Sequence, residues 1–281
     1  MSSTLSFAER ILAVRQAHTP VLPDRSRVPQ FVEDLVELLF PQIAGGRVYA
    51  CLDDIQINLD RLVTDLQGIL APQGDRIPGG IDQALQQFVG ELPAIYDTLW
   101  LDAKTMHEGD PASESLDEVI AAYPGFFAVY TYRIAHALHR LRVPLVPRLF
   151  TEYAHLRTGI DIHPAARIGE RFCIDHGTGI VIGGTCEIGT SVKLYQGVSL
   201  GALSVSKELA GTKRHPTIED NVVIYSNATI LGGRTRIGHD SVIGGNVWLT
   251  DSVPPHSIVQ HHSDIKVRSR QAQDHAIDFV I

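Results

Sequence analysis

In the first half of the chain, apolar residues recur at intervals of three and four positions, which places them on one face of a helix. Turn-forming residues between positions 71 and 80 interrupt the pattern, which then continues to about Thr105, and Pro144 ends the last helical stretch. We therefore expect an α-helical domain over residues 1–157. The apolar positions of its clearest helices are Phe31, Leu35, Leu38 and Leu39, then Ile55, Leu59, Leu62, Leu66, Ile69 and Leu70, and finally Phe126, Tyr130, Ile134, Ala137 and Leu141.

After Thr158 the period becomes six, and a small or β-branched residue follows many of the repeated aliphatic residues four places later. A hexapeptide repeat is the signature of a parallel β-helix, in which three short strands form each triangular coil and the aliphatic side chain points inward. We expect this β-helix over residues 158–260, followed by a short tail over 261–281. The repeated positions are Ile162, Ile168, Ile174 and Ile180, then Ile182, Ile188, Leu194 and Leu200, then Ile218, Ile224 and Ile230, and finally Ile237, Ile243 and Leu249.

The repeat is interrupted at three places. A slip of two residues after Ile180 and a slip of one residue before Ile237 are short enough to be absorbed at corners. The longest interruption, residues 201–216, predicts a loop between two coils, and such loops are natural places for binding groups. We interpret most of the paired glycines as corners of the β-helix, because glycine adopts the backbone conformations that tight turns require.

Composition and charge exclude several classes of protein. The chain has 281 residues, of which 44% are apolar, so it can bury a large core. A net charge of -8 gives no broad basic surface for nucleic acid or an anionic membrane. Three widely spaced cysteines suggest neither a disulfide framework nor a thiolate zinc site. No secretion signal or membrane-spanning stretch is present, so we expect a cytoplasmic protein without nucleic-acid or membrane partners.

Five sequence motifs carry a more specific resemblance. In their chain order, these segments resemble the serine acetyltransferase family, whose members combine an α-helical domain with a left-handed parallel β-helix. The resemblance covers about residues 108 to 259. The motifs are Gly109-Asp-Pro-Ala112, Gly125-Phe-Phe-Ala-Val-Tyr-Thr-Tyr-Arg-Ile-Ala-His136, Asp161-Ile-His-Pro-Ala-Ala166, Ile174-Asp-His-Gly-Thr-Gly-Ile-Val181 and Arg214-His-Pro216.

The reaction implied is the transfer of an acetyl group from acetyl-CoA to the hydroxyl of L-serine. Such a transfer needs a base for the hydroxyl proton, and a neutral imidazole, whose usual pKa is about 6.5, can accept that proton. We predict that His176 is this base. A carboxylate on the other ring nitrogen would fix the tautomer. Asp161 is the candidate, since coils of about 18 residues would bring a residue 15 positions earlier close to His176.

A zwitterionic amino acid also needs a cation for its carboxylate and an anion for its ammonium group. The resemblance implies that Arg214 and His215 hold the serine carboxylate and that Asp110 and Asp175 hold the amino group. It further implies an active site between neighbouring β-helices, hence a trimer or a dimer of trimers. Asp110 precedes a proline and is equally interpretable as the N-cap of a helix.

The sequence departs from the family near the expected CoA site. A longer segment, residues 202–213, replaces a short glycine-rich loop, and the usual segment after Val259 is missing. The resemblance therefore implies few CoA contacts, namely the backbone at Gly201 and Ala202, with Ser226 and Gly244 as further candidates. No metal is expected.

The last four residues, Asp278-Phe-Val-Ile281, resemble the family's tails that insert a terminal isoleucine into O-acetylserine sulfhydrylase, the next enzyme of cysteine synthesis. We therefore predict that Ile281 binds this enzyme. A carboxylate next to an apolar side chain suits the active site of an enzyme that acts on an amino acid.

Three alternatives stay open on the sequence. A hexapeptide acetyltransferase for homoserine or a sugar would use the same fold, although a sugar leaves Asp110, Asp175 and Arg214 unexplained. A metal-dependent lyase of the carbonic anhydrase type commonly needs histidine ligands five residues apart, whereas Val181 stands five residues after His176. A scaffold without activity would not need the predicted catalytic pair.

Overall fold

The computed structural model describes residues 2–17, 22–43, 45–203 and 211–262. Within these ranges the first part of the chain is α-helical, with two short 3-10 helices at Pro41–Ile43 and Ala71–Arg76. The predicted residue Ile281 and the loop segment 204–210 lie outside the described residues. The helices are α1 (Ser2–Ala17), α2 (Arg27–Leu39), α3 (Leu52–Leu70), α4 (Gly80–Gly109), α5 (Leu116–Ala122), α6 (Pro124–Arg140) and α7 (Val146–Thr158).

The second part is a parallel β-helix, which confirms the predicted fold. Its strands have two or three residues each and form three sheets, and the repeated aliphatic residues fill the space between the sheets. The strands are β1 (Asp161–Ile162), β2 (Arg167–Ile168), β3 (Cys173–Asp175), β4 (Val181–Ile182), β5 (Glu187–Ile188), β6 (Lys193–Tyr195), β7 (Ser199–Gly201), β8 (Thr217–Ile218), β9 (Val223–Ile224), β10 (Thr229–Leu231), β11 (Arg236–Ile237), β12 (Val242–Ile243), β13 (Trp248–Leu249) and β14 (Ile258–Val259).

The sheets divide the strands by their place in the coil. The first sheet contains β1, β4, β7, β10 and β13, the second contains β2, β5, β8 and β11, and the third contains β3, β6, β9, β12 and β14. We call the edge where the chain passes from the third sheet to the first, at His176, Gln196 and Ser226, the histidine edge. The edge between the first and second sheets, at His163, Gly183 and His215, is the arginine edge because Arg214 lies there.

The strand register shows how the coil length varies. Asp161 lies beside Val181, twenty positions later, whereas Val181 lies beside Ser199, eighteen positions later. The first coil is longer because the corner after β3 contains three left-handed residues, His176, Gly177 and Gly179. The predicted slip of two residues therefore corresponds to a wide corner at the histidine edge.

Helix α6 joins the two parts of the molecule. Gly125 lies so close to β3 that a β-carbon there would come within 2.4 Å of the Ile174 carbonyl oxygen, so only glycine fits. Farther along the helix, the Arg133 guanidinium bonds both carboxylate oxygens of Asp102 at 2.5 and 2.8 Å. The same carboxylate accepts the backbone N–H of Phe172 at 2.9 Å, which ties α4 and α6 to the first coil.

Helices α5 and α7 lie in the predicted α-helical domain, although the apolar pattern predicts no separate helix at either place. Helix α7 begins two residues after Pro144 and carries Pro147 in its first turn, where a missing N–H costs nothing. Helix α5 has only seven residues and is capped by Ser115, whose hydroxyl accepts the N–H of Glu118 at 3.1 Å. Neither is separate in the apolar pattern, because α5 has only seven residues and α7 begins just after Pro144, where the pattern ends.

Among the described residues, none of the helices combines the length and the apolar character needed to cross a membrane.

Candidate active site

Asp110 follows directly after α4, at the junction of the helices with the β-helix. Its carboxylate accepts the backbone N–H of Ala112 at 2.8 Å and the hydroxyl of Tyr123 at 2.6 Å. The hydrogen bond from Tyr123 is the main reason why the pKa of Asp110 is lowered, and nearby Lys193 and His176 contribute through their charge. Asp110 is therefore a fixed, ionised carboxylate close to His176, and the sequence motif gave no sign of Tyr123 as its partner.

Asp175 and His176 form the start of the wide corner at the histidine edge. The Asp175 side chain is 12% exposed and the His176 side chain is 71% exposed, with 3.8 Å between Asp175 Oδ1 and His176 Nε2. His176 has a φ of 59°, a conformation that recurs at other corners such as Asn227 and Asp240, so the backbone strain belongs to the fold. The imidazole is open to a substrate, as a general base requires.

Lys193, a residue outside the five sequence motifs, lies between the two carboxylates. Its ammonium group donates to Asp175 Oδ2 at 2.8 Å and to the carbonyl of Gly109 at 2.7 Å. Its register partner is Cys173, so Lys193 reaches Asp175 along a diagonal between neighbouring strands. The two residues are eighteen positions apart, which is the coil length that the period of six predicts, so this spacing could have revealed the pair.

Asp161 occupies a different position from the predicted one. Its carboxylate is 3.8 Å from the guanidinium of Arg148 on α7, and no ion pair within 4.0 Å joins it to His176 in the described part of the chain. The reason is the wide corner, which makes Val181 the ladder neighbour of Asp161. The spacing of 15 residues therefore does not bring the two side chains into contact within one chain, and the catalytic role of Asp161 stays a prediction.

His215 is buried at the arginine edge. Its Nδ1 atom accepts the backbone N–H of Thr185 at 3.1 Å, so the proton of the neutral ring must be on Nε2. Burial, with Arg214, His163 and Lys213 nearby, lowers the pKa of His215 to about 4. The ring is therefore a neutral hydrogen-bond donor at neutral pH, which suits the binding of a carboxylate.

Arg214 precedes His215 and its backbone N–H donates to the hydroxyl of Thr185 at 3.0 Å. The residue lines a cavity with Lys213, Arg234 and Asp251. Lys213 does not extend from the loop, because its ammonium group donates to three backbone carbonyls, those of Thr185, His215 and Pro216, at 2.9, 2.6 and 3.2 Å. Lys213 thus holds the arginine edge together.

The candidate CoA residues fall at both edges. Gly201 ends β7 and accepts the N–H of Gly232 at 3.1 Å, and Ala202 follows it towards the loop. Ser226 and Gly244 lie instead at the histidine edge, on the coils after the one that carries Gln196. One chain therefore does not bring all four residues together, although Ser226 and Gly244 lie along the same edge as His176.

Two groups of side chains in the described ranges could hold a metal ion, His239 with Asp240 and His256, and Glu152 with His155 and Asp161. In the second group, Arg148 already pairs with both carboxylates. Neither group includes His176 or provides the three histidines that a lyase of the carbonic anhydrase type needs.

The chain is similar to several known proteins, although no family model matches it. It is 49% identical over 189 residues to a plasmid-encoded serine acetyltransferase of Synechococcus elongatus, covering 66% of this chain and 58% of that protein. It is 45% identical over 158 residues to the serine acetyltransferase of Bacillus subtilis, covering 56% of this chain and 70% of that protein.

Solved structures give the same result. Entamoeba histolytica serine acetyltransferase 1 in complex with L-cysteine superposes with a TM-score of 0.75 at 35% identity, covering 82% of this chain and 86% of that one. Neisseria gonorrhoeae serine acetyltransferase in complex with serine superposes with a TM-score of 0.58 at 34% identity, covering 65% and 73%.

Proposed function

The chain belongs to the serine acetyltransferase family, and from this we propose that it transfers the acetyl group of acetyl-CoA to the hydroxyl of L-serine, giving O-acetyl-L-serine and CoA. The observation that carries the proposal is the junction of α4 with β3. There Asp110 and Asp175, from different parts of the fold, lie near the exposed imidazole of His176. Two carboxylates next to a base suit a substrate that has an ammonium group beside its reacting hydroxyl.

His176 would act as the general base. It takes the hydroxyl proton of serine as the oxygen attacks the thioester carbon, and the carbon–sulfur bond then breaks to release the CoA thiolate. The proton passes from the imidazole to this thiolate, so the histidine returns to its neutral form. Asp161 would orient the imidazole without reacting itself.

The distribution of residues over two edges supports an oligomeric site. Asp110, Asp175 and His176 lie at the histidine edge, whereas Arg214 and His215 lie at the arginine edge, on the other side of the first sheet. A serine molecule is too small to span both edges of one chain. We therefore propose a trimer, or a dimer of trimers, in which the histidine edge of one chain faces the arginine edge of the next.

Acetyl-CoA would lie along the same groove between chains. Ser226 and Gly244 follow His176 along the histidine edge, and Gly201 and Ala202 would come from the facing arginine edge. A cytoplasmic location belongs to this proposal and is supported by the three cysteines, which are all free thiols.

A single assay tests the function. Purified protein is given acetyl-CoA with L-serine, homoserine, threonine or sugars in turn, and thiol release is followed. We expect L-serine to be the best acceptor, and L-cysteine, which the Entamoeba enzyme binds, to compete with it. Activity on a sugar alone would overturn the proposal in favour of another hexapeptide acetyltransferase.

The contact with O-acetylserine sulfhydrylase stays a prediction from the sequence. A synthetic peptide of the last ten residues should compete with O-acetylserine for the sulfhydrylase, and the same peptide without Ile281 should not.

A further inference from the structure

Lys193 bridges the two sides of the candidate serine site. Its ammonium group is 2.8 Å from Asp175 Oδ2 on β3 and 2.7 Å from the carbonyl of Gly109, the last residue of α4. The side chains of the pair are 14% and 12% exposed, so water screens their attraction weakly. Lys193 is therefore held by specific contacts, whereas most lysines on a protein surface are solvated.

The contact with Gly109 places the lysine next to Asp110. The last carbonyls of a helix lack partners within the helix and carry partial negative charge, so they favour a cation. Lys193 satisfies one of these carbonyls directly before Asp110, while Ala112 and Tyr123 hold the Asp110 carboxylate itself. The Lys193 side chain thus donates one hydrogen bond to the backbone beside Asp110 and another to the carboxylate of Asp175.

The charges explain why such a bridge is needed. Two carboxylates that share a partly buried site repel each other, and one of them takes up a proton unless a cation compensates. Burial works against the charge of Lys193, but the hydrogen bonds to Asp175 and Tyr195 outweigh it, so the pKa of the lysine is raised. Its ring contact with Tyr195, at 4.6 Å, adds a cation–π attraction.

The other ionisable groups around the pair come from each element that packs there. They are Cys173 and His176 on or after β3, Asp110 and Tyr123 at the ends of α4 and α5, and Tyr195 and Tyr225 on or after β6 and β9. Burial raises the pKa of Cys173 to about 12, and the hydrogen bond to Asp110 raises that of Tyr123 to about 12, so neither titrates near neutral pH.

We propose that Lys193 is a positioning residue that compensates the charge of the two carboxylates and holds Asp175 and the backbone beside Asp110 in place while the serine site is empty. This inference rests on the proposed function, in which these carboxylates bind the substrate ammonium group. The site then offers one net negative charge to the incoming ammonium, because two carboxylates are balanced by one lysine.

The test compares Lys193→Gln with Lys193→Arg, and uses Lys104→Gln on the exposed face of α4 as the matched control. Glutamine keeps a donor for the Gly109 carbonyl but removes the charge. The KM for L-serine and for acetyl-CoA is measured at about pH 6 and about pH 8. Calorimetric titration of L-serine into each variant gives the same comparison without turnover.

We expect Lys193→Gln to raise the KM for L-serine about tenfold at the lower pH and less at the higher pH, since a carboxylate freed from its cation takes up a proton more readily. The KM for acetyl-CoA should be unchanged, and Lys193→Arg should restore the wild-type values. In the double variant Lys193→Gln with Asp175→Asn, the pH dependence should disappear because the protonated group is gone.

Three results would overturn the inference. They are an equal change in the KM of both substrates, a change that does not depend on pH, and a lower KM for L-serine, which would mean that the lysine competes with the substrate ammonium. Failure of the proposed function looks different, because the wild-type protein would then neither acetylate nor bind L-serine. If Lys193→Gln does not fold, Lys193→Arg measured at the two pH values still tests the inference. Arginine keeps the positive charge, so a loss of L-serine binding in this variant, with unchanged acetyl-CoA binding, would contradict a role of charge.

Discussion

The Nδ1 atom of His215 accepts two hydrogen bonds from Thr185, one from its backbone N–H at 3.1 Å and one from its hydroxyl at 2.8 Å. The same hydroxyl oxygen accepts the backbone N–H groups of Arg214 and His215 at 3.0 and 3.1 Å. Thr185 therefore fixes both the position and the tautomer of the imidazole, and Nε2–H is the group left to meet a substrate.

This arrangement predicts a loss of stability in acid. The pKa of His215 is about 4 in the folded protein, mainly because of burial, against an ordinary value of 6.5. Between these values the unfolded chain binds more protons, so stability falls as the pH is lowered through this window. We expect the urea midpoint to fall between about pH 7 and about pH 5, and to fall less in His215→Asn.

His262→Asn is the matched control, since His262 is exposed. In His215→Asn the fall in the urea midpoint should be reduced rather than abolished, because burial also lowers the pKa of His136 and His163. An equal fall in the wild type and in His215→Asn would show that this imidazole is not the buried neutral group described.

The hexapeptide period predicted the β-helix because its signal is repeated over many coils and survives short slips. A signal that is averaged over many coils does not show the length or conformation of a single corner. Two extra residues at the His176 corner lengthen one coil to twenty residues, which makes Val181 the ladder neighbour of Asp161 and makes Cys173, rather than Asp175, the ladder neighbour of Lys193. Contacts of this kind depend on the register of neighbouring coils, which a period of six cannot give.

Within one chain, the motif residues lie near one another only where they are close in sequence or at the same edge. Asp175 and His176 are adjacent, and α4 places Asp110 near them. Arg214 and His215 lie at the arginine edge, which the first sheet separates from the histidine edge where His176 lies. Their meeting would require a second chain, which the resemblance of the motifs implies but the hexapeptide period alone does not.

Loss of the base should abolish most of the activity. His176→Asn suits the left-handed backbone at this position, because asparagine adopts that conformation readily, but it cannot accept the proton. We expect kcat to fall about a hundredfold or more, with an unchanged urea midpoint because the side chain is 71% exposed. Asp161→Asn should cost less.

His256→Asn is the control for this change, as His256 is also an exposed, left-handed corner residue, with a φ of 58° and its side chain 70% exposed. It should keep wild-type kcat. Near wild-type turnover in His176→Asn would show that another group is the base.

Arg214→Ala should separate serine binding from CoA binding. A guanidinium pairs with a carboxylate through charge-assisted hydrogen bonds, so its loss should raise the KM for L-serine at least tenfold while the KM for acetyl-CoA changes little. Arg236→Ala is the control, because Arg236 is on the second sheet and pairs with Glu219 at 2.8 Å. The opposite pattern of KM values would place Arg214 in the CoA site.

The buried pair of Arg133 and Asp102 should govern the stability of the junction between the helices and the β-helix. Asp102 is fully buried, and burial raises its pKa although Arg133 and the N–H of Phe172 act in the opposite direction. Arg133→Met leaves this carboxylate without its cation. We expect a loss of about 3–5 kcal/mol, as is usual when one partner of a buried ion pair is removed.

Arg140→Met on the same helix is the matched control, because Arg140 is 63% exposed and 3.7 Å from Glu91. Exposed pairs contribute about 1 kcal/mol or less, so this variant should unfold in urea close to the wild type. Replacing both partners, as Arg133→Met with Asp102→Leu, should recover part of the loss, because no charge is then left buried. If the double variant is as unstable as Arg133→Met, the loss comes from the packing of the arginine side chain rather than from the unpaired carboxylate.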